Sequence, residues 1–208
     1  MIRPLSEAND WGFDTLGDPQ LSEMFSAAER FQWECWQAGN PEGVGENGHR
    51  FPVGHWLTFL GTNGTGKTHL AKALWRWFMG EGRHFQCRVS GANLVHYGIF
   101  RSYRKLIDDL YSGAWSQLED MRDCWFLVLD DVFGASDPRN FGGRVSDMLA
   151  ERVGKWTILT SNLTMPELAS KDRRLASRMI RDGSVVVENE TKDYALRPKI
   201  ERQRPCSV

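Results

Sequence analysis

The run Gly61-Thr62-Asn63-Gly64-Thr65-Gly66-Lys67-Thr68 fits the pattern GxxxxGK[ST], whose residue types and spacing suit the holding of phosphate. Gly61, Gly64 and Gly66 let the backbone curl until its N–H groups converge on anionic oxygens, where side chains would obstruct. Lys67 is placed to reach the β- and γ-phosphates of a nucleotide, and the Thr68 hydroxyl to take a position on Mg²⁺. Thr62, Asn63, Thr65 and His69 complete the loop and the turn behind it. Further on, the apolar run CWFLVLDDVF, residues 124–133, ends in two adjacent carboxylates. Asp130 suits Mg²⁺, bound directly or through water. Asp131 either points at the γ-phosphate to polarise an attacking water or caps the loop that follows.

Such groups act together only if strand ends deliver them to one place. HWLTFLG, residues 55–61, reads as a strand, and KTHLAKALWRWFMG, residues 67–80, as a helix whose positive N-terminal end adds to the phosphate site. HFQCRVS (84–90) reads as a second strand, followed by a long helical segment from 92 to 110. CWFLVLD is a third strand, GGRVSDMLAERVG a helix, KWTILTSN a fourth strand, DRRLASRMIRDG a helix and SVVVEN a fifth strand. Strands alternating with helices imply a parallel sheet covered on both faces. Before this core, residues 21–39 carry Leu21, Met24, Phe25, Ala28, Phe31 and Cys35 at helical spacing. The domain reading is an N-terminal extension at 1–50, with one helix and a Gly-rich linker open to partner binding. A core follows at 51–190 and a basic tail at 191–208.

The fourth strand ends in Ser161 and Asn162, polar groups placed to contact the γ-phosphate or the attacking water. The next helix carries Arg173, Arg174, Arg178 and Arg181, with Arg174 and Arg178 four apart on one face. A solvated basic face explains such a run. Its place after the polar strand end equally suits an arginine finger offered to a neighbouring subunit's nucleotide.

Taken in order, GTNGTGKTHLAKAL, FLVLDDVFG, ILTSN and RRLASRM resemble the AAA+ ATPases. Within them they are similar to the DnaC-type helicase loaders and the IstB-type transposition ATPases, over roughly residues 50–195. The resemblance implies an α/β P-loop NTPase core with a five-stranded parallel sheet of order 5-1-4-3-2. It implies phosphate and Mg²⁺ on Lys67 and Thr68, Mg²⁺ on Asp130, Asn162 as first sensor, and Arg174, with Arg178 as second choice, as the finger; Lys67, Asp131, Asn162 and these arginines are the expected catalytic residues. Two departures stand out: many AAA+ proteins have Glu where this chain has Asp131, and too few residues follow SVVVEN for a C-terminal helical lid.

Residues 93–113 mix aromatic and basic side chains, among them Tyr97, Phe100, Arg101, Tyr103, Arg104 and Lys105. Rings stack on bases and cations follow phosphates, so Tyr97, Phe100, Arg101, Arg104 and Lys105 are the expected DNA contacts. A helix packed on the sheet with solvated charges is the competing reading. The net charge of −1 gives no global sign of a nucleic-acid binder, so any basic surface must be local. Nine Trp residues point to packing before stacking. Four scattered Cys without a CxxC pair exclude a metal cluster or a disulfide framework, which fits a cytoplasmic protein with reduced thiols. No apolar run is long enough to span a membrane.

The function expected is that of an ATPase loading a replicative helicase, with ATP and Mg²⁺ as cofactors. It would bind single-stranded DNA and self-associate through its nucleotide sites. The alternative is an IstB-like helper of a DNA transposase, and less support exists for a small-molecule kinase, since no Arg-rich lid segment interrupts the core.

Overall fold

The computed structural model describes residues 18–39, 54–81, 86–89, 92–95, 98–181, 183–191 and 193. Five strands form one sheet: β1 (Trp56–Gly61), β4 (Gly98–Ser102), β5 (Phe126–Asp130), β6 (Trp156–Thr160) and β7 (Val185–Asn189). They lie side by side as β4-β5-β6-β1-β7, every pairing parallel. Numbered among themselves, this is the expected 5-1-4-3-2 arrangement. β1, β5 and β6 are buried along their whole length, as strands covered on both faces must be.

Side chains alternate between the two faces. Leu57, Phe59, Phe126, Val128, Trp156, Ile158 and Val187 meet α1 (Pro19–Gly39) and α2 (Lys67–Glu81) through Leu21, Met24, Ala28, Phe31, Cys35, Leu70, Leu74 and Trp77. The predicted stripe of α1 is thus its buried face. Trp56, Leu60, Leu127, Leu129 and Leu159 meet the other layer. That layer comprises α3 (Tyr103–Tyr111), α4 (Ser116–Asp123), α5 (Gly142–Ala150), α6 (Met165–Lys171) and α7 (Arg173–Met179). Cys35 and Cys124 are buried free thiols, and among the described residues no helix is long and apolar enough to cross a membrane.

The segment before β5 departs from the sequence reading. The second strand of the main sheet is not 84–90: β2 (Gln86–Val89) pairs antiparallel with β3 (Ala92–Val95) in a separate two-stranded sheet. Nor is 92–110 one helix. Two strands, β3 and β4, come first, and α3 begins only at Tyr103, where the Ser102 side chain accepts from the Lys105 N–H. Phe100 and Arg101 therefore sit on the edge strand, Arg104 and Lys105 on α3, and Tyr97 lies outside the described residues.

Arg152, just beyond α5, is fully buried. Its guanidinium donates to the carbonyls of Met121 at 2.6 Å, Cys124 at 2.8 Å and Trp156 at 2.9 Å, and to Thr157 Oγ1 at 3.1 Å. It ties the end of α4 to the entry of β6 with a planar set of donors that no other side chain supplies.

Candidate nucleotide site

β6 lies between β1 and β5, so three strand ends converge at the carboxyl edge of the sheet, the usual ligand position in a parallel α/β fold. β1 delivers the phosphate loop, β5 the two acids and β6 a run of hydroxyl and amide groups.

Gly61 has φ +115°, and a Cβ there would overlap the Asn189 carbonyl of β7, so only glycine permits the loop to leave the sheet in this direction. Thr62 fastens the loop to the same neighbour: its N–H donates to Asn189 O at 3.1 Å and its hydroxyl to Thr191 O at 3.0 Å. Lys67 is buried, and its ammonium donates to the carbonyls of Gly61, at 2.9 Å, and Thr62. Burial pulls its pKa down to about 8, against the opposing pull of Asp131 and Asp130. Burial also lowers the His69 pKa, with Arg76 and Lys72 acting the same way.

The acids are linked to the loop by a chain of hydrogen bonds. Thr68 Oγ1 donates to Asp130 Oδ1 at 2.8 Å, and Thr160 Oγ1 donates to the same oxygen at 2.6 Å. Thr160 Oγ1 in turn accepts from the Asp131 N–H at 2.9 Å. Asn162 Nδ2 closes the chain on Asp131 Oδ1 at 2.7 Å. Asp131 holds a left-handed φ of 59°, a conformation that costs a non-glycine residue energy and recurs at active sites. Burial raises its pKa, Asp130 adds to the rise and Lys67 opposes it. Gly134 lies under its carboxylate, where a Cβ would overlap it.

The sequence thus named Lys67, Thr68, Asp130, Asp131 and Asn162, and the structure brings all five together. It missed Thr160, whose hydroxyl positions both acids; a threonine closing a buried strand carries no spacing signal. Arg174 is exposed, whereas Arg178 is half-buried and donates to the Ala150 carbonyl at 2.7 Å, closing α5. The two arginines share one short helix but not one environment.

The expected DNA contacts fare unevenly. Asp109 draws in both Arg101 and Lys105, the latter at 2.6 Å, and Phe100 packs beside Trp75 and under the Lys72 ammonium. Of that set, Arg104 alone is exposed on α3 with no ion pair among the described residues.

The site fits Mg²⁺-nucleotide. One carboxylate and one hydroxyl 2.8 Å apart beside a glycine cradle match a hard cation that takes its other ligands from phosphate and water. Among the described residues no group of three or more His, Cys, Asp or Glu forms a metal site of its own.

No family model and no curated protein matches the sequence. Solved structures do. The crystal structure of DnaI superposes with a TM-score of 0.63 at 20% identity, over 92% of this chain and 89% of that one. A replication initiator DnaA bound to AMPPCP and single-stranded DNA gives 0.55 at 19%, over 81% and 46%. AMPPCP-bound DnaA from Aquifex aeolicus gives 0.54 at 18%, over 90% and 51%. The chain has the AAA+ P-loop ATPase fold. The chain spans about half the length of the DnaA structures it matches.

Proposed function

We propose that this chain is an ATP-dependent helicase loader of DNA replication that binds Mg²⁺-ATP and single-stranded DNA and self-associates through its nucleotide sites. The observation that carries the ATPase part is the hydrogen-bonded chain Thr68–Asp130–Thr160–Asp131–Asn162. It couples a phosphate loop to a metal-binding acid and, one residue on, to a second acid with a raised pKa. That second acid, half-buried beside the metal-binding one, is placed to act on an attacking water. Bound Mg²⁺ would supply charge neutralisation at the phosphates. Lys67 orients the phosphate chain, Asp131 takes the proton of the attacking water, and Asn162 holds Asp131 in place until substrate arrives.

The replication part is supported by the likeness to DnaI and to DnaA, one structure of which holds AMPPCP and single-stranded DNA. The exposed Trp33, stacked on Trp36 at 5.4 Å between ring centroids, supports the N-terminal segment as partner-binding. Arg174, exposed and unengaged by α5, is the arginine of choice for a neighbouring nucleotide.

Two measurements test this reading. Purified protein is assayed for phosphate release from Mg²⁺-ATP as its concentration rises, and immobilised protein with a slowly hydrolysed ATP analogue is offered a purified replicative helicase and a purified transposase. Turnover rising with concentration and retention of the helicase are expected. Retention of the transposase alone would move the chain to the transposition alternative, and no turnover at any concentration would overturn the ATPase assignment.

A further inference from the structure

Three rings and two guanidinium groups gather where the end of α3 meets the loop that leads from Asp131 to α5. Phe141 packs against Tyr111, centroids 5.0 Å apart, and against Trp115, 5.1 Å apart, both edge-on. The Arg139 guanidinium lies over the Tyr111 ring at 4.9 Å and that of Arg144 over Trp115 at 4.6 Å. The Arg139 N–H also donates to the Tyr111 hydroxyl at 3.1 Å, fixing the loop to the helix.

Three properties separate this cluster from ordinary surface. Trp115 is 37% exposed, a large apolar side chain open in part to solvent beside the Arg144 guanidinium and the Phe141 ring. Both arginines are exposed, and among the described residues neither makes an ion pair. Arg101, Lys105 and Arg122, by contrast, are each engaged by a carboxylate. Finally, Asp137, the acid of the same loop, is turned inward, its carboxylate accepting from the Gly142 N–H. A guanidinium stacked on a ring keeps its N–H donors in its own plane, where they stay available to a phosphate. Alternating rings and uncompensated cations are what a flexible polyanion with exposed bases requires, whereas a duplex hides its base faces.

We infer that Tyr111, Trp115 and Phe141 with Arg139 and Arg144 form a stacking platform for single-stranded nucleic acid. The inference rests on the single-strand part of the proposed function and relocates the contact surface from 97–105 to this cluster. A base stacks on the exposed part of Trp115, and the two arginines hold flanking phosphates.

The test uses the full chain with Mg²⁺ and an ATP analogue, titrated into fluorescently labelled 30-mer oligothymidylate and, separately, a 30-base-pair duplex, with binding read by anisotropy. Trp115→Ala is expected to weaken single-strand binding about tenfold, within the range for one lost base–aromatic stack. Arg139→Gln with Arg144→Gln is expected to lower the slope of log K against log salt by about 1.4, roughly 0.7 per lost contact. Val153→Ala, at an exposed apolar side chain away from this cluster, should leave the affinity as it is. Near-ultraviolet circular dichroism identifies any variant that has lost its fold. In that event Trp115→Phe, which keeps a ring, carries the comparison, and its affinity should lie between those of the wild type and the arginine double variant. If the wild type binds oligothymidylate and the folded variants bind it equally well, the platform is wrong and the single-strand reading stands. If the wild type binds no oligothymidylate or prefers the duplex, the single-strand reading falls and takes the platform with it.

Discussion

Thr160→Val removes a hydroxyl and adds a methyl in nearly the same volume, so it isolates what the hydroxyl does. That group donates to Asp130 Oδ1 at 2.6 Å and accepts from the Asp131 N–H at 2.9 Å, in a site where Thr160 is 1% exposed. A hydrogen bond to a charged acceptor contributes about 1.5–3 kcal/mol and one between neutral groups about 0.5–1.5 kcal/mol. Burying an extra methyl returns about 0.8 kcal/mol. The net loss is then about 1–4 kcal/mol. With a urea m-value of about 2–3 kcal/mol/M for a domain of this size, the unfolding midpoint should drop by roughly 1 M. Function should suffer more than stability. Asp130 keeps its bond from Thr68, but Asp131 loses the tie on its own N–H and with it a restraint on its left-handed backbone. The expected kinetics are a fall in kcat of at least tenfold with a smaller rise in KM for Mg²⁺-ATP. Thr160→Ser, which keeps the hydroxyl, should retain most of kcat. A valine variant with wild-type kcat and an unchanged urea midpoint would refute the assignment of Thr160 as the residue that positions both acids.

Other outcomes follow from the same geometry. Asp131→Asn should abolish phosphate release while calorimetric ATP affinity stays within a few fold; Asp130→Asn should weaken binding only when Mg²⁺ is present. Arg174→Ala should lower turnover only at concentrations where the chain self-associates, whereas Arg178→Ala should cost about 1 kcal/mol in chemical denaturation through the lost bond to Ala150. Arg152→Met should destabilise the fold by about 3–5 kcal/mol, since several buried carbonyls lose their donor together. Because burial holds the Lys67 pKa near 8, below the usual 10.5, the folded protein sheds a proton that the unfolded chain keeps. Stability from this group therefore rises with pH between those two values. Bound phosphate favours the charged ammonium, so ATP binding at pH 8.5 should take up protons. Calorimetry in buffers of different ionisation enthalpy should show it, and a buffer-independent enthalpy would remove Lys67 from phosphate contact.

What the sequence disclosed, it disclosed where chemistry is local. The phosphate loop is contiguous, and FLVLDD announces a buried strand together with the two acids at its end. Residues 84–110 are hard to read because Tyr103, Leu106, Ile107 and Leu110 repeat at helical spacing while the two strands just before them, β3 and β4, are short. β4 is an edge strand with half-buried side chains, so it lacks the continuous apolar run of β5 and β6. α6 carries its own sequence signal: Thr164 and Glu167 form a capping box with Pro166 at the start of the helix. Arg152 and Thr160 were not legible at all. A lone arginine after a helix looks solvated until the carbonyls around it are placed by the end of α4 and the start of β6.

The Thr62–Asn189 bond has a consequence for how the molecule comes into being. β1 pairs with β6 and β7 and with no strand near it in sequence, so the phosphate loop emerges from the ribosome long before its outer wall is made. At about 5–20 residues per second, the interval between Gly61 and Asn189 is on the order of ten seconds. During that time the nascent chain carries every residue of the motif without the strand that shapes it. A message cut short before Val185 would therefore carry the whole motif and lack the strand whose Asn189 carbonyl fastens it.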